Sequence, residues 1–325
     1  MKQFLRDWTL VIAIMTGIAG YFIYVNIPWL DPTHAFVNRA VGIIQPLLIF
    51  SMLFLTFCNI SPRDIRPCRW HAWLLLIQAG FFVGIGLLLM ALPYSGLRVV
   101  LEGAMLCMIC PTATAAAVIT RKLGGSMAHI TTYTILINLA AAILIPVMVP
   151  FVHPNPDIGV WDAMMMILGK VFPLLLLPLI LAMLARKLMP GVCRRIASVS
   201  DLSFYLWAVA LTLAIAVTAR SIARSAVPLS AQLGLVGVSL AACAFQFWAG
   251  RKIGHMYRDT ITAGQALGQK NTVFAIWLGY TFFSPVTAMA GGFYSIWHNV
   301  VNSYQLYRHS HPSKKQEKEH EHEGK

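Results

Sequence analysis

The chain is short of charge, and shortest of negative charge: only 11% of its 325 residues are charged, and Asp and Glu number 12 against 25 Lys and Arg. With 58% of residues hydrophobic, too few polar side chains remain to cover one or two soluble cores of this length. That excludes an ordinary soluble globular protein and points to a polytopic membrane protein. The formal net charge of +13 does not mark a nucleic-acid surface, because the cations sit in short clusters between apolar runs. Cysteine is sparse as well. Cys58, Cys68, Cys107, Cys110, Cys193 and Cys243 lie mostly in or beside apolar runs, without the dense spacing of a secreted disulfide scaffold, so no structural disulfide is expected. The pair Cys107-x-x-Cys110 has the spacing of half a metal or redox site, but no second pair and no neighbouring histidine completes it. No Ser/His/Asp or metal-ligand constellation stands at a spacing that supports an enzyme built on Cys107, Cys110 or His129. The pattern therefore calls for no metal and no cofactor.

What is abundant is apolar sequence of membrane-crossing length. A span needs about 20 mostly apolar residues, and ten segments meet that rule: 8–27, 36–60, 70–93, 97–121, 128–151, 162–185, 203–220, 228–249, 255–280 and 283–306. The first has a basic start, Lys2 and Arg6, but no convincing cleavage site, so it reads as a retained helix and not a leader. With the N-terminus inside, nineteen Lys and Arg fall in inside segments and four outside, namely Arg39, Arg98, Arg220 and Arg224. That asymmetry places both termini in the cytoplasm, and the setting expected is a plasma membrane of the bacterial inner-membrane kind. Trp8, Trp29, Trp70, Trp161 and Trp248 fall near span ends, as an interfacial belt requires.

A proline-rich outer connection, Pro150 to Asp157, stands where five spans end and five begin. An odd number of spans in each half turns the halves upside down relative to one another. The fold expected is thus an all-α membrane protein of ten helices in two inverted five-helix repeats: 1–151, a linker at 152–161, and 162–307. The charged tail, 308–325, has no apolar face and should be disordered in the cytoplasm, His320 and His322 included.

The fourth span of each half is interrupted. The run Cys110-Pro111-Thr112-Ala113-Thr114-Ala115-Ala116-Ala117 breaks the first, and Gly268-Gln269-Lys270-Asn271-Thr272 breaks the second. Pro111 lacks an N–H and clashes with the preceding turn, so the helix must open there. Opened backbone at membrane depth needs protein, water or a ligand as partner. Half-helix N-termini favour anions and C-terminal carbonyls favour cations. Lys270 is the most informative residue, since a mid-membrane charge costs roughly 2.5–3.5 kcal/mol on insertion scales and implies a use. It can serve as a fixed cation for an anionic substrate, or release its proton in a dry site and couple transport to protons. A purely structural ion pair is the plainer alternative. Glu102 is a candidate partner or a separate titrating group near the outer mouth, and Lys170, nearer a span end, should snorkel. Gln78, Thr132, Thr134 and Asn138 are further intramembrane polar residues expected near the site, although each Thr can equally bond back to its own helix.

These residues resemble the bile acid:sodium symporter family over nearly all ten spans. Cys110-Pro111-Thr112-Ala113-Thr114-Ala115 is similar to the family's Cys-Pro-Gly-Gly-Thr-Ala, Gly268-Gln269-Lys270-Asn271 to its Gly-Met-Gln-Asn, and Gln78 to a glutamine of its third span. The resemblance implies that spans 4 and 9 are broken and cross, and that a panel (spans 1, 2, 6 and 7) moves against a core (spans 3–5 and 8–10). It also implies sodium ligands that this chain lacks. The family's Ser-Asn falls at Ala116 and Ala117, its sodium-binding Glu at Ala266, and a second-site Gln at Lys270. Sodium wants oxygen ligands, and Gln78 and Thr134 alone do not make a good site.

The function expected is secondary active transport of a small organic anion by alternating access, a symport in which protons are the candidate coupling ion and sodium coupling at the family positions is disfavoured. Pro111, Thr112, Ala113, Thr114, Gln269, Lys270, Asn271 and Thr272 form the crossover that binds substrate. Gln78, Thr134, Glu102, Ala116, Ala117, Ala266 and Lys270 mark the coupling-ion positions or their replacement. A facilitator or channel, and a sensor or receptor built on the same scaffold, are the other classes the sequence leaves open. The lipid bilayer is the partner, and no nucleic acid is expected.

Overall fold

In a lipid interior a backbone N–H or C=O finds no water, so apolar segments close their hydrogen bonds within themselves as helices. The computed structural model describes residues 9–60, 65–92, 97–154, 156–191, 193, 195, 202–224 and 227–311. Over these it is all-helical, with one isolated bridge and no strands. The helices are α1 (Thr9–Val25), α2 (His34–Cys58, entered through a 3-10 turn at Pro28–Thr33), α3 (Arg69–Ala91), α4 (Arg98–Ile109), α5 (Ala116–Lys122) and α6 (Met127–Val152). There follow α7 (Val160–Leu188), α8 (Leu202–Ala223), α9 (Leu229–Met256), α10 (Thr260–Gly268), α11 (Thr272–Phe282) and α12 (Met289–Ser310).

Each of the ten predicted segments is occupied by helix, and the two expected to be interrupted are each divided, into α4 with α5 and α10 with α11. Among the described residues six helices are long and apolar enough to cross a membrane: α2 with its 3-10 turn, α3, α6, α7, Tyr205–Ala223 of α8, and α9. The remaining segments fall short for visible reasons. The halves of the broken helices are too short singly, α1 has only Val11–Val25 as its apolar part, and α12 carries a stripe of polar residues.

Four boundaries differ from expectation. Helix α9 runs on to Met256, and the next begins at Thr260, not 255. A tight turn divides them, with Arg258 at a φ of 58° and the Asp259 N–H donating back to Gly254 O at 2.9 Å. Gly250 lets α9 lie flat on α10, because a Cβ there would stand 2.5 Å from Ala263 O. The last helix begins at Met289, not 283, because Ser284 Oγ accepts from the Thr287 N–H and holds a turn around Pro285. Pro150, read as the start of the outer connection, stays inside α6, which runs to Val152. The predicted tail from 312 onward, Trp8, Arg63 and Arg194 lie outside the described residues.

Helices α3 with α4, α6 with α7, α9 with α10, and α1 with α8 pack side by side. The largest buried cluster runs from Ile49 and Leu53 of α2 through Leu106 and Ile109 of α4 to Phe274 and Leu278 of α11. Large apolar side chains such as Leu76, Leu87, Ile180 and Leu233 point outward, a surface suited to lipid and costly in water.

Candidate functional site

The two interruptions meet in the middle of the bundle and pair with each other. Thr112 and Lys270 form an antiparallel bridge, in which the Ala113 N–H donates to Gln269 O at 2.9 Å and the Asn271 N–H to Pro111 O at 2.8 Å. Each break thus satisfies backbone groups that the other has freed, as non-helical chain at this depth requires. Thr112 Oγ1 donates to Ala266 O at 2.7 Å and ties the first break to the end of α10. Asn271 caps α11, its Oδ1 accepting from the Phe274 N–H at 3.2 Å. Pro111, Thr112, Gln269, Lys270, Asn271 and Thr272 are buried, while Ala113 and Thr114 are partly so.

Carbonyls at the ends of α4 and α10 are the groups that would attract a cation. Protein donors already hold several of them. Gln78 Nε2 donates to Cys110 O at 2.8 Å and to Ile109 O at 3.2 Å, and its Oε1 accepts from Tyr133 OH at 2.9 Å. Gln246 Nε2 reaches Cys107 O at 3.3 Å and Tyr294 OH at 3.1 Å, and Tyr294 OH donates to Gly268 O at 2.8 Å. The Lys270 N–H donates to His298 Nδ1 at 3.3 Å. Gln246, Tyr294 and His298 were not anticipated. Their signal in the sequence is a polar residue within an otherwise apolar helix, weaker than either break.

Lys270 is 1% exposed, and its Nζ has no hydrogen-bond partner. The thiols of Cys110, Cys107 and Cys243 lie near it. Among the described residues no carboxylate pairs with it, so the alternative of a structural ion pair finds no partner here.

Glu102 is not that partner. Its carboxylate accepts from Arg98 Nε at 3.0 Å, lies 2.8 Å from His153 Nε2 and accepts from Thr287 Oγ1 at 2.9 Å, and Arg98 also donates to Val152 O. The length of α4 between Glu102 and Ile109 rises about 10 Å, which sets this charged knot at the far end of the half-helix from the crossover. Lys170 is exposed, with its Nζ 5.6 Å from the centre of the Phe282 ring.

The expected oxygen ligands fare unequally. Ala116 and Ala266 are fully buried and Ala117 partly so, and none has a side-chain oxygen. Thr134 Oγ1 donates to Ile130 O at 2.9 Å and Thr132 Oγ1 to Ala128 O at 2.8 Å, so both bond back to their own helix. Asn138 Nδ2 does the same to Thr134 O at 2.6 Å, leaving its Oδ1 buried and unpartnered. Gln78 is spent on bracing carbonyls.

At the Lys/Arg-rich end, His129 Nδ1 lies 2.6 Å from Asp259 Oδ2 beside a cleft of about 500 Å³ that Cys68 also lines. Burial and the Asp259 carboxylate push the Cys68 thiol up, the opposite of an activated nucleophile. Among the described residues no group of three or more His, Cys, Asp or Glu is arranged to hold a metal ion.

Compared with known proteins, residues 18–296 match the sequence model of the SBF-like CPA transporter family. No curated protein matches the chain.

Proposed function

The chain belongs to the SBF-like CPA transporter family, and from that premise we propose that it is a secondary active transporter of a small organic anion, working by alternating access and not coupled to sodium at the family positions. A transporter it is by family. The finer reading takes the ten helical segments as ten spans in two inverted repeats, 1–151 and 162–307, with the linker between. Spans 1, 2, 6 and 7 move as a panel against a core of spans 3–5 and 8–10. Both termini lie on the cytoplasmic side of a plasma membrane, as the distribution of Lys and Arg supports.

The observation that carries the reading is Lys270: a buried amine without a partner, standing in the strand-like pairing of two broken helices. In its protonated form the amine does what a bound cation would do, and the N-terminus of α11, which begins two residues later, adds positive potential for an anionic substrate. Because an amine can also gain and lose a proton, the same group serves proton coupling as the crossover faces water on one side and then the other. Ala116, Ala117 and Ala266 remove side-chain oxygens that sodium would need, and Gln78 is already engaged by two carbonyls and Tyr133.

The test is counterflow in proteoliposomes against a panel of carboxylates and sterol anions, with and without sodium, at two pH values. Saturable exchange that ignores sodium is the expected result. Binding without counterflow would make the chain a sensor or receptor, and downhill leak alone would make it a facilitator or channel.

A further inference from the structure

Helix α12 carries Ser295, His298, Asn302 and Gln305 at spacings of three, four and three, which places them on one face of a helix. That face lies against α10 and the crossover. At its upper end His298 accepts from the Lys270 N–H at 3.3 Å. Lower down, Gln265 Nε2 donates to Asn302 Oδ1 at 3.1 Å and to Gln305 Oε1 at 2.8 Å.

Buried polar atoms in a protein interior are nearly always hydrogen-bonded to protein or to ordered water. Along this stripe five are buried without a protein partner: Ser295 Oγ, Asn302 Nδ2, Gln265 Oε1, Gln269 Oε1 and Lys270 Nζ. Donors and acceptors are both present among them, and internal water needs two to four such partners at each position. From Ser295 to Gln305 the helix rises about 15 Å. Gln305 then lines a cleft of about 500 Å³ together with Arg251, Lys252, His255 and Thr260, on the Lys/Arg-rich face. At the other end of the core the Glu102 carboxylate is closed in by Arg98, His153 and Thr287.

We propose that this stripe is a water-filled route running inside the core from the Lys/Arg-rich face to the crossover, by which the Lys270 amine exchanges protons with that side. The ligand is water. The amide and hydroxyl groups orient it, and the proton leaves the ammonium for water and travels along the water chain to the cleft. His298 is a positioning residue, since its Nδ1 is taken by the Lys270 N–H. The other titratable groups near Lys270 are Cys107 of α4, Cys110 and Cys243 of α9, and Tyr294 of α12 donates to Gly268 O two residues away in the chain. Those at the cleft are basic, with Arg308 of α12 acting on Arg251. The route rests on the coupling reading of Lys270 only for what it carries, not for its presence.

The test uses single cysteines, Ser295→Cys, Asn302→Cys and Gln305→Cys, in the full chain with its six native cysteines replaced. A membrane-impermeant methanethiosulfonate is applied to one face of oriented vesicles at a time, and Leu233→Cys, on the outward apolar surface, is the unreactive control. All three stripe positions should react from the Lys/Arg-rich face, at rates within about tenfold of one another. Silence at 295 and 302, or reaction from the opposite face, overturns the proposal. Hydroxyl-radical footprinting of the unsubstituted chain, reading oxidation of Tyr294 and His298, decides the matter should the cysteine-free chain fail to fold: protection of both is the overturning result. Labelling together with sodium-driven counterflow would leave the route standing and strike down the coupling role of Lys270 alone.

Discussion

The interruption after α4, Cys110 to Ala115, is six residues long and uncharged, whereas the one after α10, Gln269 to Asn271, is three residues long and holds a buried cation. They pair as equals through the backbone, yet their chemistry is divided. The first break supplies carbonyls and depends on other helices to hold them, Gln78 from α3 and Gln246 from α9. Its second half-helix, α5, has Ala115 at the N-cap position, which offers no capping side chain. The second break brings its own equipment, the Lys270 amine and the Asn271 cap. Backbone pairing fixes where the two breaks meet, and asymmetry of side chains decides what the meeting does.

That division can be broken most directly at its charged side. Lys270→Gln should lower anion counterflow by about 10- to 100-fold, equivalent to about 1.4–2.8 kcal/mol of recognition, with the bundle intact by size exclusion; full activity with an unchanged pH profile would make the lysine a bystander. On the uncharged side, Gln78→Leu leaves the Ile109 and Cys110 carbonyls and the Tyr133 hydroxyl without their buried partner. A loss of about 1–3 kcal/mol is expected, read as a lower melting temperature in detergent. Asn271→Ala removes a cap and should cost about 0.5–2 kcal/mol. Thr112→Val, which deletes only the bond to Ala266 O, should be mildest at about 0.5–1.5 kcal/mol. Should Thr112→Val prove worse than Gln78→Leu, the crossing and not the neighbouring helices would be what holds the first break. The comparison is sharpened by reversal: Ala116→Ser, Ala117→Asn, Ala266→Glu and Lys270→Gln together restore the residues that the bile acid:sodium symporter resemblance expects, and should create a sodium-dependent rise in melting temperature.

Much of this was legible from sequence because the strongest signals are local. Apolar runs located the helices, and Pro111 located the first opening, since a residue without an N–H must break the ladder wherever it stands. The second opening was legible from Lys270 and its amide neighbours. What could not be read was partnership. Glu102 and Lys270 both look like buried charges seeking opposites, but His153 and Thr287 approach Glu102 from connections far along the chain. Thr134 and Gln78 both look like ligands, and only the packed structure shows one bonded to its own helix and the other spent on carbonyls. The α12 stripe was visible as Ser295, His298, Asn302 and Gln305, yet a short stripe inside an apolar segment gains meaning only when the facing Gln265 is known.

The central claim is that an amine has taken the place of a bound metal cation at the crossing. Its most direct test is the melting temperature of the unsubstituted, purified chain titrated with sodium chloride against potassium chloride or choline chloride at matched ionic strength. Superimposable curves are expected if the amine fills the cation's place; a saturable stabilisation specific to sodium would show that it does not.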